Sequence, residues 1–432
     1  MGELAFGPFR MDLESARLLR GGSALDLRPQ GFNALRALIQ NYGRHVDYEQ
    51  MIQQAWGGAV VSRHTVAVTV GEAKKVLGEY GSWIQYRPKL GYSLEIPAAE
   101  DLIRKGQHFA QRFTRDGFEK ALDCFREAAG ASSADFRAFQ GMSSCYLMLG
   151  SLGLRPPRET YAKFREAQRE AVALRGLTPG LRADNACALH LFERQFSEAE
   201  RELLAVAKES PDFAPVFTHL VMLYLTNKRF EEAERALARA YAADPLWPLP
   251  AGIEIFLRIC KREFELAAEC GEKAVELHPY VPIGRFFYAY ALQCSGKLCD
   301  AIEQFRLVQV MSPCFPWPRA HEAVCLAESG NCPQAERILD ELEQRRRVDY
   351  VDPYNLVRPY DVLGRRQAAL GELERACDEG SVALAYIDVD PKMDSLRGEP
   401  RFERVRDHVL QVARSDSAIG RVSAQAVSQA AS

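Results

Sequence analysis

One stretch of the chain, residues 230–263, reads FEEAERALARAYAADPLWPLPAGIEIFLRICKRE and spans 34 residues. Alanine recurs at this interval on both sides of the stretch, and proline does so over a shorter span. Glycine keeps the same interval further along, five residues before each alanine. A fixed period of this length predicts an array of like structural units. The periodic positions are Ala199, Ala233, Ala267, Ala301, Ala335 and Ala369; Pro211, Pro245, Pro279 and Pro313; and Gly296, Gly330 and Gly364.

Within a unit, apolar residues follow helical spacing. Phe217, Leu220 and Tyr224 form one such face ahead of Ala233. Alanine suits a close crossing of two helices, glycine closes the first helix in a left-handed turn, and proline ends the second helix. The pattern therefore predicts pairs of helices that stack into an α-solenoid.

This helix pair resembles the tetratricopeptide repeat (TPR), which has the same period. We extended the 34-residue spacing in both directions from the clearest repeats. It indicates about eight helix pairs between residues 101 and 384, with Ala121 and Phe125 in an early pair. A segment at 385–413, with a helix near 400–413, is expected to cap the solenoid. Residues 414–432, rich in Ser, Ala and Gln, are expected to be disordered.

The first 97 residues lack this period and combine short alternating stretches with three helical ones. Ser62 is the expected N-cap of the third helix, which carries Val66, Val70, Ala73 and Leu77 on one face. The order of elements predicts an α+β winged helix-turn-helix over residues 1–97, so the whole chain is expected to be mainly α. The expected strands are Leu4–Met11, Ala16–Leu27 (with a turn at Gly21-Gly22) and two within Trp83–Pro97; the helices are Pro29–Asn41, Tyr48–Trp56 and one that begins at Ser62.

Four features of this region resemble the OmpR/PhoB-type winged-helix DNA-binding domain, and the last of them is closest to its ToxR/CadC branch. A winged helix followed by TPR units is also similar to HilA-like transcriptional regulators. The resemblance implies a bacterial regulator that binds double-stranded DNA through its third helix and wing. The features are Phe6-Gly-Pro-Phe-Arg-Met-Asp12, Leu27-Arg-Pro-Gln-Gly-Phe-Asn-Ala-Leu35, Trp56 and Arg87-Pro-Lys-Leu-Gly-Tyr92.

The positions that would meet DNA lie on the third helix and on the wing. Residues 61–92 carry five basic and two acidic side chains, a local charge of +3 in a chain whose net charge is −3. Gly71 and Glu72 depart from the basic residues common in the family, so one domain is expected to bind modestly and two copies to bind tandem sites. The expected contacts with bases and phosphates are Arg63, His64, Thr65, Thr69, Lys74, Lys75, Arg87 and Lys89.

The first helices of TPR-type pairs line a concave groove. Projection of the repeat onto the chain places aromatic, methionine and histidine side chains there, which suits a protein or peptide with apolar anchors. Two alternatives stay open: these side chains pack between helices, or the chain's own C-terminal segment covers them. A small-molecule inducer is a further alternative. The expected groove residues are His219, Met222, Phe256, Phe286, Phe287, Tyr290, Trp317 and His321.

Several other functions are not indicated by the composition. The eleven cysteines contain no CxxC pair, and the eight histidines show no HExxH arrangement, so reduced thiols and no metal or cofactor site are expected. No phosphate-binding glycine loop or GxSxG motif is present, and an enzyme is not expected. Neither a secretory signal nor a transmembrane segment is visible, so we expect a cytoplasmic protein without a membrane partner.

Two functional hypotheses follow. In the first, the chain is a sequence-specific transcriptional regulator whose array binds a protein or peptide partner or self-associates, with a homodimer on tandem sites. In the second, it is a TPR adaptor or scaffold whose winged helix docks on protein, for instance RNA polymerase, instead of DNA.

Overall fold

The structure, a computed structural model, describes residues 3–6, 9–20, 23–96, 98–131 and 135–410. The chain divides into two compact units, one formed mainly by residues before Gly106 and the other mainly by residues after it. Across these ranges no helix has the length and apolar character needed to cross a membrane. The predicted tail at 414–432 and the Gly21-Gly22 turn lie outside the described residues.

The N-terminal unit opens with an antiparallel sheet in which consecutive strands pair in the order β1-β2-β3-β4. Strand β2 alternates, with Phe9 and Met11 buried and Arg10 exposed between them, because successive side chains of a strand point to opposite faces. The sheet therefore offers one apolar face to the helices that follow. The strands are β1 (Glu3–Phe6), β2 (Phe9–Asp12), β3 (Arg17–Arg20) and β4 (Ser23–Leu25).

Three helices follow, α1 (Pro29–Gln40), α2 (Tyr48–Trp56) and α3 (Arg63–Leu77). Helix α2 begins with a capping box between Asp47 and Gln50, and the Ser62 hydroxyl caps α3 by accepting from the Thr65 amide at 3.1 Å. The predicted positions of all three helices and the predicted N-cap are thus confirmed.

After these helices comes a hairpin of β5 (Ile84–Arg87) and β6 (Gly91–Leu94), which forms the wing. Tyr92 also exchanges two backbone hydrogen bonds with Val46, which precedes α2. Gly91 has φ +98, and a Cβ there would lie 2.1 Å from the Val46 carbonyl oxygen. Only glycine can stand in the wing at this close approach.

The second unit is a solenoid of helix pairs. From α6 onward, each pair packs together and each pair contacts the next. The predicted fold class, mainly α with a winged helix ahead of an α-solenoid, is confirmed. Over the described residues from Ala98 to Glu379 the helices are α4 (Ala98–Ala110), α5 (Arg115–Ala131), α6 (Phe136–Ser151), α7 (Pro157–Arg175), α8 (Pro179–Ala188), α9 (Phe196–Glu209), α10 (Ala214–Thr226), α11 (Phe230–Ala243), α12 (Leu249–Cys260), α13 (Phe264–Leu277), α14 (Pro282–Cys294), α15 (Leu298–Met311), α16 (Trp317–Glu328), α17 (Cys332–Arg346), α18 (Tyr354–Val362) and α19 (Arg366–Glu379).

The 34-residue period has a direct structural cause. All six periodic alanines are 0% exposed, each in the first turn of the second helix of its pair, where that helix crosses its neighbours closely. The periodic prolines are exposed and lie between one pair and the next. Gly296, Gly330 and Gly364 close the first helix in a left-handed turn, with φ between +73° and +85°.

In three earlier repeats a basic residue takes the place of this glycine. Arg194, Lys228 and Arg262 precede Gly296 at the same interval and have φ of 61°, 58° and 64°. A residue with a Cβ is strained in this conformation by about 1–2 kcal/mol. The first helix before Arg194 also ends differently, in a π-turn over Leu189–Glu193.

After α19 the chain forms two 3-10 turns, Val382–Tyr386 and Pro391–Leu396, and a helix described over residues 400–410. Phe402 and Val405 of that helix share one buried cluster with Leu370 and Leu373 of α19. The residues before it turn back into the array, because Val382–Tyr386 contacts α6, α10 and the π-turn.

Candidate functional site

Helix α3 presents its N-terminal half to solvent. Its buried face contains Val66, Val70, Ala73 and Leu77, which share one core with the wing residues Ile84 and Leu94. Helix and wing are therefore held together from the inside, and their outer sides stay accessible. The predicted contact residues Arg63, His64, Thr65, Lys75, Arg87 and Lys89 are exposed, and Lys74 is half-buried.

Thr69 corrects the sequence analysis, which counted it among the exposed positions. It is 8% exposed because it follows Val66 by three residues and precedes Ala73 by four, which places it on the core face of α3. Val68 is 47% exposed on the opposite face, in register with His64 and Lys75, and the sequence analysis missed it. The helical period alone predicts that residue 68 is exposed and residue 69 is not, since residues 64, 68, 71 and 75 share one face of the helix.

Charged partners set the local electrostatics of this surface. The Arg63 guanidinium lies 5.4 Å from the centre of the Tyr48 ring, which restrains the start of the helix. Glu72 pairs with Arg28 at 3.4 Å, so the acidic residue in α3 is partly neutralised within the domain. Arg87 lies 3.6 Å from Glu95 across the wing, and both side chains are exposed. A phosphate could compete for Arg87, because exposed pairs of this kind are weak.

Lys89 stands at the turn of the wing with φ 71°, between exposed neighbours Pro88 and Leu90. Tyr86 is 56% exposed and its ring lies 5.0 Å from that of Tyr92. The wing therefore projects positive charge, which suits contact with phosphates, and apolar surface, which suits the minor groove.

A second candidate site lies inside the array. All eight predicted groove residues line one cavity of ≈ 160 Å³. The structure thus brings them together, while their role in binding a partner stays a prediction. The C-terminal segment, defined here as residues 381–394, supplies Ala383, Tyr386, Asp390 and Lys392 to the same cavity. Residues of the C-terminal segment therefore cover part of the groove, which is one of the alternatives left open by the sequence.

The C-terminal segment is attached to the inner face by tyrosines and by the basic residues of the left-handed turns. Asp390 accepts hydrogen bonds from Tyr290 at 2.6 Å and from Tyr354 at 3.1 Å. Arg194 donates to the Ser381 carbonyl oxygen at 2.9 Å, Lys228 pairs with Asp388 at 2.6 Å, and Arg262 donates to the Val389 carbonyl oxygen at 2.7 Å. No feature of the 34-residue period pointed to these contacts.

Burial controls the protonation of the histidines that line the cavity. It lowers the pKa of His219 to about 4, and it lowers the pKa values of His190 and His321 well below the ordinary histidine value. His321 shares a hydrogen bond of 2.7 Å with Gln293 through Nδ1. All three imidazoles are therefore neutral near pH 7, and the cavity wall is aromatic and polar without histidine cations.

Cysteine chemistry is not favoured by the arrangement. Each cysteine of the chain lies within the described residues, and none of them forms a disulfide there. Burial raises the pKa values of Cys187, Cys260 and Cys294, which keeps these thiols protonated. Over the described ranges, no group of three or more His, Cys, Asp or Glu side chains could hold a metal ion.

Comparison with known proteins supports the assignment of the N-terminal unit. Residues 22–94 match the family model described as "Transcriptional regulatory protein, C terminal". No curated protein matches the chain. The chain therefore carries an OmpR/PhoB-type winged-helix domain, followed by TPR-type helix pairs.

Similar solved structures include the human IFIT1 dimer with m7Gppp-AAAA, which is 16% identical, with 82% of this chain and 91% of that chain covered and a TM-score of 0.47. The yeast Tom70 structure is 12% identical in sequence; the match covers 91% of this chain and 82% of that chain, with a TM-score of 0.43. A tetratricopeptide repeat protein from Parabacteroides merdae is 11% identical; the match covers 72% of this chain and 99% of that chain, with a TM-score of 0.34.

Proposed function

We propose that the protein is a sequence-specific DNA-binding transcriptional regulator that acts in the bacterial cytoplasm. The observation that carries this proposal is the match of residues 22–94 to the transcriptional regulatory family, together with the exposed basic residues of α3 and the wing. Helix α3 has 15 residues and a free outer face, dimensions that suit the major groove.

The N-terminal half of α3 would read bases, and its last turn and the wing would contact phosphates. Arg63 and His64 can donate to base edges, and the exposed Val68 can contact a thymine methyl group. Lys75, Arg87 and Lys89 supply charge without sequence information, so they set affinity and register. Because few cations are available, one domain should bind modestly and two copies should bind adjacent half-sites more tightly.

The test is duplex binding by the full chain, first with selected random oligonucleotides and then with the preferred site at several salt concentrations. We expect log affinity to fall linearly with log salt, since each phosphate contact releases counterions. The double variant Lys75→Ala, Arg87→Ala should reduce the slope by roughly 2. Arg17→Ala, an exposed cation on β3, is the matched control and should leave the slope unchanged. Sequence-independent binding, or no binding to single and tandem sites, would contradict the proposal.

A second candidate function is an adaptor whose winged helix docks on protein, such as RNA polymerase. Three exposed apolar residues of α3, the loop before it and the wing favour it: Val68, Val60 and Leu90. The two functions separate in the same experiment, because an adaptor should show little duplex binding while Val68→Asp abolishes capture of purified polymerase.

For the array, we propose binding of a protein partner or self-association. Four exposed residues support this, Leu246, Tyr280, Cys314 and Val348, which occupy the same position of consecutive repeats. A row of equivalent exposed apolar residues is a surface typical of protein contacts. A peptide in the concave groove would have to displace the C-terminal segment. Sedimentation of the wild type and of Leu246→Ser, Tyr280→Ser tests self-association: a mass that does not fall in the variant would exclude this row as the dimer contact.

A further inference from the structure

We propose that the cavity inside the array binds a small neutral molecule, a single aromatic ring that carries a carbonyl or hydroxyl group. The inference concerns the array alone. It goes beyond DNA binding by the winged helix, and a failure of either proposal leaves the other intact.

The size of the cavity limits its ligand. At ≈ 160 Å³ it is close to an engineered apolar cavity of about 150 Å³ that holds benzene. An extended or helical peptide needs a longer groove that is open along the array. Here Tyr386, Asp390 and Lys392 of the C-terminal segment stand on the concave side and shorten that groove. The space that is left suits one ring.

The wall of the cavity favours an aromatic ring. Rings contact one another in an unbroken series along the wall, at centroid distances from 5.1 to 6.3 Å. Met148 and Met222 complete this wall and can place sulfur against a ring edge. Edge-to-face contacts with several rings favour an aromatic guest over an aliphatic one. In order, the series is His190, Tyr386, Phe256, Phe287, Phe286 and Trp317.

Polar atoms of the residues in the same wall favour a polar group on the ligand. Four residues that line the cavity each have a buried atom without a hydrogen-bond partner among the described residues: Ser151 Oγ, His190 Nε2, Trp317 Nε1 and Tyr386 Oη. Each of these atoms has less than 1 Å² of accessible surface, and buried polar atoms are normally paired, so we infer that a ligand pairs them once their side chains turn toward it. The Trp317 indole N–H can only donate. A ligand that pairs it provides an acceptor oxygen, and the other three atoms can bond to a carbonyl or a hydroxyl.

His190 is the most constrained of these groups. It is 2% exposed and lies in the π-turn Leu189–Glu193, where the other first helices of the central repeats end as α-helices. π-Turns within helices concentrate at functional sites because they reposition side chains. The departure from the repeat therefore places at this wall an imidazole whose Nε2 has no partner among the described residues.

The ligand should be uncharged. Asp390 is engaged by Tyr290 and Tyr354, and it lies 3.5 Å from Lys392, so the two opposite charges in the wall are already paired. The buried imidazoles add no charge near pH 7. An ionised ligand would consequently be buried without a counter-charge, which is strongly unfavourable.

The experiment measures binding of four related probes to the full chain at pH 7.5 by calorimetry and ligand-observed NMR. Acetophenone and p-cresol carry the ring and the oxygen, toluene carries the ring alone, and benzoate adds a charge. We expect acetophenone and p-cresol to compete for one saturable site. Toluene should bind at least tenfold more weakly, and benzoate should not bind.

Two variants locate the site. Met222→Trp fills the cavity and should abolish binding of all neutral probes. Trp317→Phe removes the indole donor and should weaken acetophenone at least tenfold while it changes toluene less than threefold. Trp247→Phe, which does not line the cavity, is the matched control, and helical melting verifies that each variant is folded.

Three results would overturn the proposal. They are the absence of saturable binding by every neutral probe, which would leave these polar atoms to water; binding that both cavity variants retain; and benzoate binding as tight as that of acetophenone.

Discussion

Arg262 donates two hydrogen bonds from Nη2 to the carboxylate of Asp394, with 2.9 Å to each oxygen, although the two residues are 132 positions apart. Arg262 also occupies a left-handed turn in which the later repeats have glycine. Its side chain thus forms an ion pair that glycine could not form, while its backbone is strained in the left-handed turn. Together with Lys228 and Arg194 it attaches the C-terminal segment to three successive repeats.

The first prediction concerns this attachment. Arg262→Gly should relieve strain of about 1 kcal/mol and lose a half-exposed ion pair worth about as much, so global stability should change little. Amide exchange in residues 387–396 should nevertheless accelerate at least fivefold, because the segment loses its bidentate anchor. Hydrogen exchange measured by mass spectrometry checks this. Arg201→Ala, which removes an exposed intrahelical pair with Glu198, is the control; equal exchange in both variants would contradict the anchoring role.

The second prediction concerns acid stability. His219 has a folded pKa of about 4 and an ordinary value of 6.5, so the unfolded chain binds more protons between these limits. Stability should therefore fall as the pH decreases from about 6.5 to about 4, by at most about 3 kcal/mol from this residue. His219→Gln should flatten the profile of urea unfolding over that range.

Burial raises the pKa of Asp184 to about 6, so this carboxyl group makes stability rise as the pH falls, opposite to His219. Because Asp184 is present in both chains, the difference between the wild-type and His219→Gln profiles reports His219 alone. His108→Gln, at an exposed position, should retain the wild-type profile. A His219→Gln profile that matches the wild type would mean that folding does not lower the pKa of the His219 imidazole.

The third prediction compares two glycines of the winged helix. A Cβ at Gly71 in α3 would meet no atom within 4 Å, so Gly71→Ala should stabilise the domain by about 0.5–1 kcal/mol. Gly91→Ala would collide with the Val46 carbonyl and should destabilise it by more than about 2 kcal/mol. Thermal unfolding followed by the fluorescence of Trp56 and Trp83, in a chain whose Trp247 and Trp317 are replaced by Phe, distinguishes the two. A loss of stability in Gly71→Ala would show an unrecognised role for that glycine.

The fourth prediction tests the origin of the repeat. Ala233 is 0% exposed where α11 crosses its neighbours, and Ala238 in the same helix is exposed. Ala233→Leu should destabilise the array by about 1–3 kcal/mol through overpacking, and Ala238→Leu should be nearly neutral. Urea unfolding followed by circular dichroism measures the free energy of unfolding of both variants. Similar losses in the two would mean that the 34-residue period of alanine is not caused by close helix packing.

Much of the architecture could be predicted because its signals are local. The spacing of Val66, Val70, Ala73 and Leu77 indicated α3, and Ser62 marked its start, since a helix needs only short-range periodicity and a cap. The wing could be identified from its proline and glycine. The prediction for Thr69 is wrong, because its position between Val66 and Ala73 in the helical period places it on the core face of α3.

The candidate cavity could be predicted only in part. The repeat places Met222, Phe256 and Tyr290 on one side, because equivalent positions of stacked repeats share a surface. The positions of Tyr386 and Asp390 could not be predicted, since residues 381–394 do not follow the period. The π-turn that carries His190 also has no signature in the pattern of apolar residues.

The sequence by itself determined the two architectures and the elements within each, because these depend on spacings of two to 34 residues along the chain. Only the tertiary structure decided that the C-terminal segment returns across the array, that Arg194, Lys228 and Arg262 hold it, and that an aromatic cavity results. The reason is geometric. The curvature of a solenoid is the sum of small rotations between many repeats, and contacts such as Arg262–Asp394 exist only after that sum brings distant residues together.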